Sequence, residues 1–411
     1  MREKKIIYIV IDGLGDRPIK ELKNKTPLDF ANTPNMDRMA KKGFVGIHFG
    51  IYPGVSIGSG LAHILLFGLD PNTFPGRGVL EALGLNLNLK KGDLLFRINF
   101  ATINNKLIVT DRRAKRNDYK VIEIINDLNK MFKESPFDEE IKIFKGKDHR
   151  GVLLIRNGDL SIVEDFDPYI EGKKAIFPNV KKCKDMRKRK ILKIIDYLLK
   201  AYKFLNKHKA NVERRNKGLP PVNFILVRGA GIYEGTLSFK ELYGMKAATI
   251  ADTPLYLGIG RFLGMDVFKI EDDKKIEKAC SLLNKYDFIF IHFKKSDEFS
   301  HDGLYKEKVK YLEELDNLFS PLLDMEDVLV TITGDHATPC EMKTHSGDPV
   351  PFLIYRKDLE WNIANKFSEK ECMKGVTLST AKQLFYVTLN LANRPIIVPA
   401  YRYKDISLKF Q

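Results

Sequence analysis

Four short apolar runs, far apart in the chain, each stop abruptly at residues able to hold a metal or an anion. Residues 6–11 end at Asp12, and residues 223–227 end at Arg228-Gly229-Ala230-Gly231. Residues 287–293 lead into Lys294, Lys295, Ser296 and Asp297, and residues 328–333 stop at Gly334-Asp335-His336. A run that is apolar at every position, rather than at alternate ones, suits a strand covered on both faces, as in a parallel sheet flanked by helices. In open α/β sheets, ligands gather beyond the carboxyl ends of the strands. The expectation is an α/β fold in which these four strand ends converge in one crevice.

Between 73 and 221 the texture changes. Gly76, Gly78, Gly84 and Gly92 punctuate the entry, and Lys217-Gly218-Leu219-Pro220-Pro221 marks the exit. Strand-like stretches at 94–100, 106–110, 141–144 and 151–155 alternate with helical ones such as 120–132. The chain of 411 residues has room for two domains. It reads as a discontinuous metal-binding domain, 1–72 and 222–411, interrupted by a second α/β domain at 73–221 that orients substrate.

Hydrophobic residues at 44% and charged ones at 30% exclude a disordered chain. No apolar stretch approaches the roughly 20 residues that span a bilayer. The opening apolar run is six residues long and ends in Asp12-Gly13 without a small-residue cleavage site, which fits a buried strand better than a signal peptide. Cys183, Cys280, Cys340 and Cys372 form no Cys-x-x-Cys pair and read as reduced thiols. A cytoplasmic protein is expected, without a membrane partner, and homo-oligomerisation is compatible with the sequence. Gln occurs only at 383 and 411 amid abundant Lys, Ile and Glu, a bias of hyperthermophile proteins.

The net charge of +16 is concentrated at 181–217, where fifteen Lys or Arg face three acids. Such a segment invites a nucleic-acid reading. However, Ile191, Ile195, Leu198, Tyr202 and Leu205 recur at helical spacing, so an amphipathic helix with a Lys-rich solvated face is expected instead. No nucleic-acid partner is expected; the charge could at most steer an anionic small molecule.

Asp12, Asp297, His301, Asp335, His336 and His345 make an oxygen-and-nitrogen ligand set suited to two divalent ions such as Mn²⁺, Zn²⁺ or Co²⁺, with Mg²⁺ favoured by fewer histidines. Asp297-x-x-x-His301 puts two ligands on one side of a helical turn. Each residue alone reads equally as a cap or a polar turn. Ser59, in Gly58-Ser59-Gly60, precedes the helix-like Leu61, Ala62, Ile64, Leu65 and Phe67. It reads either as an N-cap or as a nucleophile, because free amides and the dipole at a helix start favour an alkoxide and a bound phosphate. His48, His208 and His292 lack partner clusters, His63 reads as structural or as support for a ligand, and Cys340 as a buried filler.

Further motifs run through nearly the whole chain. They include residues 11–18 (Ile-Asp-Gly-Leu-Gly-Asp-Arg-Pro), Lys25-Thr26-Pro27-Leu28, Gly76-Arg77-Gly78, Phe96-Arg97-Ile98-Asn99-Phe100 and Asp111-Arg112-Arg113-Ala114. His149-Arg150-Gly151-Val152, His301-Asp302-Gly303, Thr333-Gly334-Asp335-His336 and His345-Ser346-Gly347-Asp348-Pro349 follow. With these the chain resembles the archaeal-type cofactor-independent phosphoglycerate mutases, a branch of the alkaline phosphatase superfamily. The resemblance implies an alkaline-phosphatase-like α/β domain and a phosphoserine on Ser59. It implies one ion on Asp297, His301 and His345, and another on Asp12, Asp335, His336 and the Ser59 oxygen. His149, Arg150, Arg112, Arg113 and Arg228 would contact substrate, with Arg97 and Lys246 as further candidates. The family pattern carries Asp directly after the serine, where this chain has Gly60, and Cys where it has Ile98. The implied reaction is interconversion of 3- and 2-phosphoglycerate, in glycolysis and gluconeogenesis, with no bisphosphoglycerate. A metal-dependent phosphate or sulfate monoesterase would use the same ligands, and a degenerate fold that binds nucleic acid is the distant alternative.

Overall fold

The computed structural model describes residues 3–133, 140–158, 165–177 and 185–396; Cys183 and the first residues of the basic segment, 181–184, lie outside them. In chain order the strands are β1 (Lys5–Ile11), β2 (Phe44–His48), β3 (Asp93–Ile103) and β4 (Val109–Asp111). Next come β5 (Ile141–Lys145), β6 (Arg150–Ile155), β7 (Phe224–Tyr233), β8 (Ala247–Ala251) and β9 (Asp266–Lys269). β10 (Phe288–Phe293), β11 (Val328–Thr333), β12 (Val350–Arg356) and β13 (Val376–Leu378) complete them. The chain divides into two compact units, Met1–Phe74 with Leu237–Gln411, and Pro75–Thr236.

The discontinuous unit is built on one sheet, ordered β13-β2-β12-β11-β1-β10-β8-β9. β1 runs between β10 and β11 and parallel to both, with Ile9 beside Ile291 and Ile332. β8 and β9 continue the parallel set. Six residues of β1 and every residue of β10 and β11 are buried, as expected of strands covered on both faces. Because the three run the same way, Asp12, Lys294 and Asp335 emerge at one edge. β12 alone reverses direction between β11 and β2, being antiparallel to both. An antiparallel neighbour needs no crossover helix, so residues 334–349 can form a loop that carries His336 and His345 back over the same edge.

The inserted unit has its own sheet, centred on β3, which pairs antiparallel with β4, β6 and β7, while β5 pairs with β6. Its core includes Phe96, Phe100, Ile124, Leu128, Leu198 and Leu226. This corrects the sequence expectation twice. Residues 222–236 lie in the inserted unit, whose bounds are Pro75 and Thr236 rather than 73 and 221. Three strand ends, not four, therefore meet at the edge of the parallel sheet. The apolar run 224–227 looks like its counterparts because it too is fully buried; only its pairing partner differs, and that is not written locally.

The basic segment forms the helix Asp185–Lys207 and the shorter Lys209–Asn216. Of the expected stripe, Ile191, Leu198 and Leu205 are buried and Ile195 and Tyr202 half-buried, while Ile194, Tyr197 and Ala201 complete the buried face. Arg214 is buried too and donates to the Pro220 and Tyr119 carbonyls at 2.9 and 2.6 Å. Among the described residues, no helix is long and apolar enough to cross a membrane.

Candidate active site

Ser59 opens the helix Ser59–Leu66, but the N-cap position belongs to Gly58, whose backbone is extended. The Ser59 hydroxyl is therefore not used to cap its own helix. It lies 3.2 Å from His336 Nε2, nearly buried, and a Cβ added to Gly58 would meet nothing within 4 Å. Space is therefore open beside Gly58, at a helix start whose first amides have no intrahelical partner.

Asp12 follows β1, and Asp335 and His336 follow β11. Asp12 Oδ1 and Asp335 Oδ2 are buried with no hydrogen-bond partner. His336 Nε2 lies 3.5 Å from the first and 3.2 Å from the second. The opposite carboxylate oxygens are held by the protein: Asp335 Oδ1 accepts the Gly13 and His336 amides at 3.1 Å each. Asp12 Oδ2 takes Lys294 Nζ at 3.0 Å and the Tyr256 hydroxyl, with His292 Nε2 at 3.2 Å. Unpaired buried carboxylate oxygens are costly, and a cation shared with His336 Nε2 would offset that cost. Gly13 is required at the turn: its φ is +62, and a Cβ there would meet Asp297 Oδ1 and Thr338 Oγ1 at 2.9 Å each.

The second group is Asp297 and His301, one turn apart on the helix Lys295–Asp302, with His345 from the return loop. Their Nε2 atoms lie 3.5 and 3.6 Å from Asp297 Oδ1. His301 Nδ1 donates to the Lys343 carbonyl at 2.9 Å and His345 Nδ1 to the Ile57 carbonyl at 2.8 Å. A carbonyl can only accept, so in the neutral imidazoles both Nε2 atoms are bare, the arrangement usual for metal-binding histidines. Asp12, Asp335 and His336 could hold one ion, and Asp297 and His345 another that His336 is also close enough to join.

Electrostatics keep the cluster ready for cations. Burial raises the Asp12 carboxyl, but Lys294, His292 and His336 outweigh it and hold the group well below the usual range. Burial is likewise outweighed at Asp297, chiefly by Lys294, which brings it to about 2. Asp335 goes the other way, pushed well up by burial and then by Asp12 and Asp297. Burial, with His345 adding to it, lowers His336 to about 3, so its imidazole is neutral.

Lys294, which contacts both Asp12 Oδ2 and Asp297 Oδ2, escaped the sequence reading as a site residue, as did His292 and Tyr256. Lys294 carried a signal, since it directly follows an apolar run. His292 faces Asp12 only because β10 pairs with β1. His63 donates Nδ1–H to the Ser59 carbonyl at 2.8 Å and lies 3.6 Å from Asp335, in support of the ligands. His48 bonds Thr333 and His208 bonds Asp127. Cys340 is a buried core residue, as expected.

The inserted unit holds a separate cationic cluster. Register places Arg97 of β3 opposite Arg228 of β7, and Asn99 opposite Arg150 of β6, all on one face because successive side chains alternate. Like charges directly opposite are unfavourable, yet the Nε atoms of Arg97, Arg150 and Arg228 and Nδ1 of His149 are buried without hydrogen-bond partners. Burial, with Arg150, Arg97 and Arg113 adding to it, lowers His149 to about 2. Glu81, 3.2 Å from Arg77 and 3.8 Å from Arg97, offsets part of the charge. Such a face suits an anion. Arg77, from the helix Arg77–Gly84, joins it and was not singled out despite its Gly-Arg-Gly motif. Arg112 is already engaged, bidentate to buried Asp167 at 3.0 and 2.6 Å.

Lys246 does not belong to either cluster. It precedes β8, at the amino end of the parallel strands, and its ammonium lies over the Tyr286 ring at 5.3 Å. The ligands sit at the carboxyl ends, one strand length away.

Residues 4–391 match the Metalloenzyme superfamily. The 2,3-bisphosphoglycerate-independent phosphoglycerate mutase of Thermococcus kodakarensis is 42% identical over 392 residues, covering 91% of this chain and 94% of the relative. This chain belongs to that mutase family. The family member from Saccharolobus islandicus is 40% identical over 414 residues, covering 96% and 99%. A solved structure from Pyrococcus horikoshii is 34% identical with a TM-score of 0.80, covering 97% of this chain and all of the other. The cofactor-independent phosphoglycerate mutase of Thermoplasma acidophilum is 32% identical with a TM-score of 0.64, covering 95% and 100%.

Proposed function

We propose that this chain interconverts 3- and 2-phosphoglycerate through a phosphoserine on Ser59, without bisphosphoglycerate. The observation that carries the reading is a Ser59 hydroxyl that caps no helix and lies 3.2 Å from His336 Nε2, the same atom that approaches two orphaned carboxylate oxygens at 3.5 and 3.2 Å. The substrate follows from the mutase relatives. Asp12, Asp335, His336 and Ser59 Oγ would hold one divalent ion, and Asp297, His301 and His345 the other. Mn²⁺, Co²⁺ or Zn²⁺ suit these mixed donors better than Mg²⁺. Such ions favour serine deprotonation and offset charge on the phosphoryl oxygens.

Ser59 Oγ attacks phosphorus, the bond from phosphorus to the C3 oxygen of the substrate breaks, and that oxygen takes up a proton. The C2 hydroxyl of the glycerate then accepts the phosphoryl group, and Ser59 regains its proton. Lys294 keeps Asp12 and Asp297 ionised. Arg97, His149, Arg150 and Arg228, with Arg113, Arg112 and Arg77, would bind the carboxylate and phosphate, for which the guanidinium fork is suited. The substrate is a soluble small molecule, and the cytoplasm is the compartment we assign.

A monoesterase would differ only in the second acceptor, water instead of glycerate. Reaction of 3-phosphoglycerate in ¹⁸O-water therefore decides. A well-held hydroxyl reaches effective molarities of about 10⁵ M, so unlabelled 2-phosphoglycerate with little free phosphate is expected. Stoichiometric release of labelled phosphate without 2-phosphoglycerate would overturn the mutase reading in favour of hydrolysis, with Gly60 as the first position to examine.

A further inference from the structure

Thr338, in the return loop after β11, is wholly buried, and its hydroxyl touches one residue from each ligand group. Oγ1 donates to Asp297 Oδ1 at 2.9 Å and lies 3.0 Å from His336 Nδ1. A hydroxyl has a single hydrogen. The carboxylate can only accept it, so Thr338 Oγ1 must in turn accept from the imidazole, and His336 carries its proton on Nδ1. The lone pair of His336 Nε2 then points toward Asp12 Oδ1, Asp335 Oδ2 and Ser59 Oγ. The backbone fixes the link: the Thr338 amide donates to the Gly15 carbonyl at 2.9 Å, and only a residue without Cβ at position 13 leaves room beside Oγ1.

We infer that Thr338 is a positioning residue that joins the two ion sites, setting the His336 tautomer for one while orienting Asp297 for the other. The inference rests on the two-ion reading above and goes beyond it: neither site is independent of the other, because one hydroxyl serves both. Partners that orient metal ligands in this way contribute about 10- to 100-fold in affinity.

Thr338→Val keeps the shape and removes the hydroxyl. Titration of the chelated full-length variant with Mn²⁺ should show both ions weakened by about 10- to 100-fold, with Thr338→Ser close to wild type. The thermal transition of the metal-free variant monitors folding. Wild-type affinity for both ions in Thr338→Val, weakening of one ion alone, or no rescue by Ser would each overturn the proposal. Asp335→Ala separates the two readings. If it keeps both ions, the two-ion reading fails and takes this proposal with it. If it loses one while Thr338→Val loses none, only the proposal fails. Should Thr338→Val not fold, ¹⁵N shifts of the histidines in metal-free wild-type protein still decide: His336 protonated on Nδ1 supports the link, and protonation on Nε2 overturns it.

Discussion

Ser59 gains its role by what it is not doing. Its neighbour Gly58 occupies the cap position, so the hydroxyl is left to face His336, and Ser59→Ala removes the proposed nucleophile without removing a cap. Turnover and any phosphorylated peptide spanning Ser59 should vanish in that variant, with the thermal transition moved by less than about 1 kcal/mol in stability. Wild-type turnover in Ser59→Ala would remove this residue from the chemistry. Glu369 offers a residue-scale test of electrostatics away from the ions. It accepts the Thr26 hydroxyl at 2.6 Å and the Asp16 amide at 3.1 Å, and burial pushes it up to about 7. An unfolded Glu titrates near 4.3, so folding favours the protonated form. That contribution is fully present below about 4.3 and is lost as the pH rises through about 7. Glu369→Gln should therefore match wild type near pH 4 and gain relative stability above it, on the order of 3 kcal/mol by pH 8. Denaturant midpoints across pH check this; a pH-independent difference would contradict it.

At the scale of elements, β1 does two jobs. Its apolar side chains fill the core on both faces of the sheet, and its parallel pairing with β10 and β11 sets Asp12 beside Lys294 and Asp335. Ile9→Ala, at a fully buried centre, should cost about 2–5 kcal/mol, read from urea unfolding of the metal-free protein. The fate of Lys246 shows the same principle from the other end. Strand direction alone places it at the amino edge, where no ligand gathers.

At the scale of the whole molecule, two separate cores divide the labour. All the proposed acid and histidine ligands lie in the discontinuous unit, and the arginine face lies in the insertion. Chelation should therefore reduce hydrogen-exchange protection around β1, β10 and β11 and leave β3, β6 and β7 nearly unchanged, since a ligand stabilises the part that binds it. Equal loss in both sheets would argue against this assignment of the ions.

The sequence by itself determined the elements and the chemistry. Uninterrupted apolar runs specified buried strands, the 3.6-residue period made 185–207 a helix despite its charge, and acids and histidines at run ends announced a metal-type ligand set. These signals are local, because burial and helical period act on neighbours in the chain. Which strands share a sheet was decided only in three dimensions. Residues 224–227 are as apolar as β1 yet pair with β3, which moved Arg228 and the domain boundary. His292, Tyr256 and Thr338 likewise became site residues through pairing and loop return, contacts between segments far apart in the chain that no local pattern encodes.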